Sequence, residues 1–228
     1  MRFAINDYSV SAQDKGWGHG WPIDRFPDMA RVTADRSGVA VNVHKGVARL
    51  ADLLLDETER RGYLCEQHHT GGFCSRPIRN TRKPSNHSWG LALDINWTDN
   101  PAGRGPMRTN IPSWMPRLWA RYGWYWGGFY RGSFKDPMHF EFMGSPADAR
   151  DMARMALADG IGTLPLTDTD KQWLKKELRD AVNEHADKLF RWVGHGGGDP
   201  PGLSPANHPH NHKAILDQLN ALERQLHK

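Results

Sequence analysis

Cysteine is scarce in this chain, and its scarcity excludes several architectures. Two residues, Cys65 and Cys74, in a length of 228 cannot build a disulfide framework or a four-cysteine zinc site. Both are expected as free thiols. Cys74 is expected as a small buried residue rather than a nucleophile, because no histidine stands by it as a dedicated base. Long apolar runs are also missing: nothing approaches the ~20 residues that a bilayer-crossing helix needs, so no membrane partner is expected. The opening Met1–Asp7 lacks the apolar stretch of a secretory signal. No phosphate loop, dinucleotide fingerprint or serine nucleophile elbow is present, which removes nucleotide enzymes and serine hydrolases. A strong excess of one charge is lacking too. Thirty Lys and Arg against 26 Asp and Glu leave +4, a mild preference for anionic surroundings that does not select among them.

Tryptophan, in contrast, is abundant. Eight of the ten stand before residue 130, where an aromatic core or the walls of a cleft would use them. Val47, Leu50, Leu53 and Leu54 recur at helical spacing within Lys45 to Arg61, with Gly62 as the stop. A short helix is expected over Ile111 to Tyr122, and another from Pro146 to about Ala158. Gly90–Asn96 and Met138–Met143 are short apolar runs between turn signals, and read as neighbouring strands of one sheet. The fold class is therefore α+β: a small, mainly antiparallel sheet flanked by helices, followed by a helical tail. The main domain is expected over residues 1–163. An amphipathic helix at 164–193, a Gly/Pro/His-rich linker at 194–212 and a short amphipathic helix at 213–228 would follow. The two tail helices are too apolar on one face to stand alone; they are expected to pack on the main domain or to support self-association. His208, His210 and His212 are read as solvated loop residues.

His87, Asp94 and His139 are the candidate metal ligands. Two imidazoles and a carboxylate form a known catalytic set for zinc that leaves a fourth position open. If Leu91 to Asn96 is a strand, Asp94 faces away from Leu91, Leu93 and Ile95 and can emerge beside a loop-borne His87. Ser85-Asn-His-Ser-Trp-Gly-Leu-Ala-Leu-Asp94 followed by Asp136-Pro-Met-His-Phe-Glu141 resembles the signature of zinc D-Ala-D-Ala carboxypeptidases and L-Ala-D-Glu endopeptidases. These belong to the lysostaphin, D-Ala-D-Ala metallopeptidase and hedgehog superfamily, which includes many phage endolysins. Trp124-Tyr-Trp-Gly-Gly128 also looks like the carboxypeptidase branch. The resemblance spans about residues 40 to 145 and leaves the tail out.

The resemblance implies one Zn²⁺ per chain, held by His87, Asp94 and His139, with Asp136 as the catalytic acid and base. Many relatives carry Glu at that place, which reaches further. Glu141 is the rival, since strand alternation puts it on the face of His139, where it could instead orient an imidazole. Arg76 matches the family arginine that steadies a substrate carbonyl or carboxylate, and Arg79 or Arg82 could take that part. Ser85 either binds substrate or shapes the turn before His87.

The implied function is zinc-dependent hydrolysis of the stem peptide of peptidoglycan, by an endolysin-type endopeptidase made in a host cytoplasm and acting at the wall after release. Two alternatives stand beside it: a D-Ala-D-Ala carboxypeptidase, and a metal-containing wall-binding module without turnover. Nucleic acid is not an expected partner, because Pro77 interrupts the Arg76–Lys83 cluster and the metal motif follows at once.

Overall fold

The computed structural model describes residues 11–162, together with Gln172, Lys176 and Arg179. The chain divides into two units, Met1–Gly162 and Thr163–Lys228. The expected tail helices and linker lie outside the described residues, apart from those three, which are helical and exposed. No helix among the described residues is long and apolar enough to cross a membrane.

The first strands among the described residues form a hairpin that the sequence patterns did not reveal, β1 (Met29–Thr33) paired antiparallel with β2 (Ala40–His44). Its product is a launch point for α1 (Lys45–Arg60), because the His44 imidazole accepts from the Gly46 amide and caps the helix. The apolar stripe of α1 is the expected one: Val47, Leu50, Leu53 and Leu54 are buried, and the helix stops just before Gly62, whose φ is +96°. Further along run β3 (Ala92–Asp94), β4 (Gly103–Arg104), α2 (Trp114–Arg121), β5 (Trp124–Trp126), β6 (Phe134–Lys135), β7 (His139–Phe142) and α3 (Pro146–Ala158). Helix α3 begins where Pro146 predicts it. Ser145 and Asp148 close a reciprocal capping box there, which satisfies backbone amides that a helix start otherwise leaves open.

The described residues form α+β architecture with three small antiparallel sheets: β1–β2, β3–β7–β5 and β4–β6. The expected neighbours β3 and β7 are indeed paired. Their central sheet has two faces of opposite character. Leu93, Phe140 and Trp126 align on one face, where Phe140 packs against Trp119 with ring centroids 4.9 Å apart. Trp124 and Phe142 extend the same aromatic core. The other face carries Asp94 opposite His139, and Ala92 opposite Glu141 and Tyr125. Alternation along a strand makes this division unavoidable: burying Phe140 and Phe142 turns His139 and Glu141 the other way.

Candidate metal centre

Residue pairing brings the first two candidate ligands together without a loop. Asp94 and His139 are cross-strand partners, and the His139 Nδ1 lies 3.0 Å from the Asp94 Oδ1. The third arrives from outside the sheet on a 3-10 turn, Asn86–Trp89, which Ser85 caps through its hydroxyl. Gly90 ends that turn in the left-handed region at φ +66°. A side chain there would collide with the Met29 Sδ at 2.4 Å and the His44 backbone nitrogen at 2.6 Å, so glycine is required for conformation and space alike.

The buried His87 imidazole is fixed by its far side. Its Nδ1 donates to the Gly72 carbonyl at 2.7 Å, which leaves Nε2 bare. That atom faces the Asp94 Oδ2 at 3.2 Å and the His139 Nδ1 at 3.1 Å. One donor atom from each of His87, Asp94 and His139 lies within 4.8 Å of the others. Two neutral imidazole nitrogens and a carboxylate, converging from a strand pair and a turn, match the donor set and openness of a catalytic zinc site. The chemistry of the residues therefore fits the ion.

Electrostatics agrees with a site made for positive charge. Burial pushes the Asp94 carboxyl up, but the His139 and His87 imidazoles beside it outweigh burial and hold the group well below the ordinary carboxylate range. His139 moves the other way: burial lowers it, while Asp94 and Glu141 raise it above the usual imidazole value. A carboxylate that so favours a charged imidazole will also favour a cation at the same point.

Asp136 and Glu141 differ sharply. The Asp136 amide donates to the Gly127 carbonyl at 3.1 Å, and its own carbonyl accepts from the His139 amide at 3.1 Å. Its Oδ1 is buried without a hydrogen-bond partner. Burial raises its pKa above the ordinary value; His139 opposes this, whereas the charges of Asp94 and Glu141 add to it. Glu141 has both carboxylate oxygens engaged: Oε2 accepts from the Asn86 Nδ2 at 2.6 Å, and Oε1 from the Tyr130 hydroxyl at 2.9 Å. Burial raises Glu141 too, but His139 and these donors bring it down to about 2.

A cleft of about 690 Å³ opens on this face, lined by Asp136, His139 and Glu141 at one part and by Arg76, Arg79 and Lys83 at another. Arg76 is exposed, while its backbone is tied on both sides to the Ser88 hydroxyl. Arg82 is not among the cleft's lining residues. Ser85 lines the cleft, with its hydroxyl turned to the His87 amide at 3.4 Å. Cys74 corrects an expectation: it is exposed, whereas Cys65 is buried. The loop that carries Cys74 follows the edge of the fold, with the Cys74 amide donating to the His87 carbonyl. No Cys–His pairing claims the thiol among the described residues. Asn86 and Tyr130 were not singled out from the sequence. Their only signal is adjacency, Asn86 to His87 and Tyr130 to the Trp-Tyr-Trp-Gly-Gly segment.

Residues 79–142 match a family model described as D-alanyl-D-alanine carboxypeptidase. The match covers 64 of the chain's 228 residues. The matched stretch holds His87, Asp94, Asp136, His139 and Glu141, and begins three residues after Arg76. No curated protein and no solved structure matches the chain.

Proposed function

We propose that this chain is a zinc-dependent hydrolase of peptidoglycan stem peptides, acting at the cell wall as an endolysin-type endopeptidase. The observation that carries the reading is the convergence of His87, Asp94 and His139 beside a carboxylate oxygen of Asp136 that is buried and uncommitted. His87, Asp94 and His139 would hold one zinc ion. When bound, zinc lowers the pKa of coordinated water toward ~7 and polarises a carbonyl.

The remaining work falls to the chain. Asp136 accepts the proton of the attacking water and returns one to the leaving amine, a task for which a raised carboxyl pKa is suited. Glu141 cannot readily share it, because both its oxygens already accept hydrogen bonds. Arg76, exposed on the cleft, offers a guanidinium to a substrate carbonyl or carboxylate. Arg79 and Lys83 extend the cationic rim, which favours a peptide that carries carboxylates. The Ser85 hydroxyl caps the turn that presents His87, which favours turn-shaping over substrate contact.

The description of the matching family favours a second reading, a carboxypeptidase that removes terminal D-Ala. Incubating the protein with peptidoglycan, with and without chelator, and sequencing new termini by mass spectrometry tests both. New N-terminal D-Glu, lost with chelator, supports the endopeptidase; released D-Ala supports the carboxypeptidase. Wall binding without any cleavage would reduce the protein to a recognition module, and chelator-resistant cleavage would remove zinc from the reading.

A further inference from the structure

We propose that Asn86 and Tyr130 are positioning residues that lock Glu141, and through it fix His139 with its proton on Nε2 and Nδ1 bare toward the metal. The proposal rests on the zinc reading above and adds two residues to it.

The geometry of the ring carries the argument. The His139 Nδ1 is on the cluster side, 3.0 Å from Asp94 and 3.1 Å from the His87 nitrogen. Its Nε2 is on the other side, 3.5 Å from the Glu141 Oε2. A neutral imidazole has one N–H, and only the nitrogen without it can bind a metal. Both ring nitrogens face a carboxylate, Nδ1 that of Asp94 at 3.0 Å and Nε2 that of Glu141 at 3.5 Å; a cation held at the cluster would displace the proton from Nδ1, and Glu141, an acceptor on the far side, would keep the remaining one on Nε2.

That selection works only if Glu141 stays where it is. Glu141 is buried in a cleft wall at 4% exposure, and an unpinned carboxylate so close to a cation site would be a competing ligand. Asn86 holds one oxygen at 2.6 Å and Tyr130 the other at 2.9 Å. The Tyr130 ring is itself held by stacking on Tyr125, with centroids 5.8 Å apart, and Tyr125 is the β5 residue paired with Glu141. Asn86 begins the same short turn that delivers His87. One turn thus supplies a ligand directly and steadies a second ligand through Glu141.

The test uses the full-length protein with zinc and cobalt as probes. A long-range ¹H–¹⁵N spectrum of the zinc-loaded wild type should show the metal-bound shift on His139 Nδ1 and a proton on Nε2. This needs no variant to fold; a metal-bound shift on Nε2 overturns the proposal. Tyr130→Phe and Asn86→Ala should each weaken zinc, measured by chelator competition, by roughly tenfold, the low end of the ~10–100-fold cost of disturbing groups behind a ligand. Both should shift the visible bands of the cobalt protein. Tyr122→Phe, which removes a hydroxyl bonded to Asp159, should leave affinity and bands unchanged. Unchanged affinity and bands in both test variants defeat the clamp while the zinc site survives. A wild type that binds neither ion defeats the zinc reading itself.

Discussion

Two sets of buried acids in this molecule have opposite relations to their surroundings. On α1, Glu57 receives Arg60 and Arg61, and Glu59 accepts the amides of Arg36, Ser37 and Cys65. Burial raises the pKa of each, but these hydrogen bonds win and hold both below the ordinary carboxylate value. At the cleft, Asp136 has a buried oxygen without a partner, and burial wins. A fully bonded carboxylate ties loops to a helix and has no capacity left. An unbonded one costs stability and keeps its lone pairs for another molecule.

The comparison can be broken most severely at the ligands. Replacing His87, Asp94 or His139 with Ala should abolish stoichiometric zinc and, with it, stem-peptide cleavage, a larger loss than the ~10–100-fold expected of groups behind the ligands. Metal analysis of purified variants checks this; a variant that keeps full zinc is not missing a ligand. Next in size, Asp136→Asn should lower cleavage by about 10²–10⁴-fold, the usual worth of a positioned general base. Zinc content should hold and unfolding should shift little or favourably, since burial outweighs the attraction of the charge to His139 and one oxygen has no hydrogen bond to lose. Full activity in that variant together with a dead Glu141→Gln would reverse the two assignments.

Glu59→Gln sharpens the other side. It places an amide against three backbone donors, and should cost about 2–4 kcal/mol in urea unfolding while the folded fraction keeps its zinc. The smallest effect belongs to Asp56, a half-buried acid whose pKa burial raises to about 7, against the lowering hydrogen bond from the Asp35 amide. Between the unfolded value near 4 and about 7 the folded state binds the extra proton. Its stabilising contribution is therefore present at low pH and lost as pH rises through 7. Asp56→Asn, which keeps an oxygen for the Asp35 amide, should be more stable than wild type by roughly 1 kcal/mol at pH 8 and less so at pH 5. Urea midpoints at the two pH values decide it, and an equal gap at both would show that Asp56 does not titrate with folding.

The convergence of His87, Asp94 and His139 was legible because spacing and strand alternation act locally. Leu91, Leu93 and Ile95 had to face the core, so Asp94 had to face away, and the β3–β7 pairing brought it to His139. Helices α1 and α3 were legible from apolar periodicity and from Pro146. The β1–β2 hairpin was not, because Met29–Thr33 alternates weakly and its partner runs straight into a helix. The Asn86 and Tyr130 contacts were out of reach for a different reason. They join Glu141 to residues 55 and 11 positions away, through angles that periodicity does not encode. Cys74 was misread because the lack of a histidine base argues against a nucleophile but says nothing of burial, and the thiol is exposed.

On the proposed reading, the cross-strand placement of Asp94 and His139 would make metal capture a proofreader of folding. A slip of β7 by one residue would exchange its faces, sending His139 into the aromatic packing of Trp119 and Trp124 and bringing Phe140 out toward the cleft. Such a chain could retain its helices and most of its buried area, yet the nitrogen needed at the ion would be on the wrong side of the sheet. The geometry of the cluster thus distinguishes correct register from its nearest error, and an ion bound there would act as an inspector that rewards only chains assembled in register.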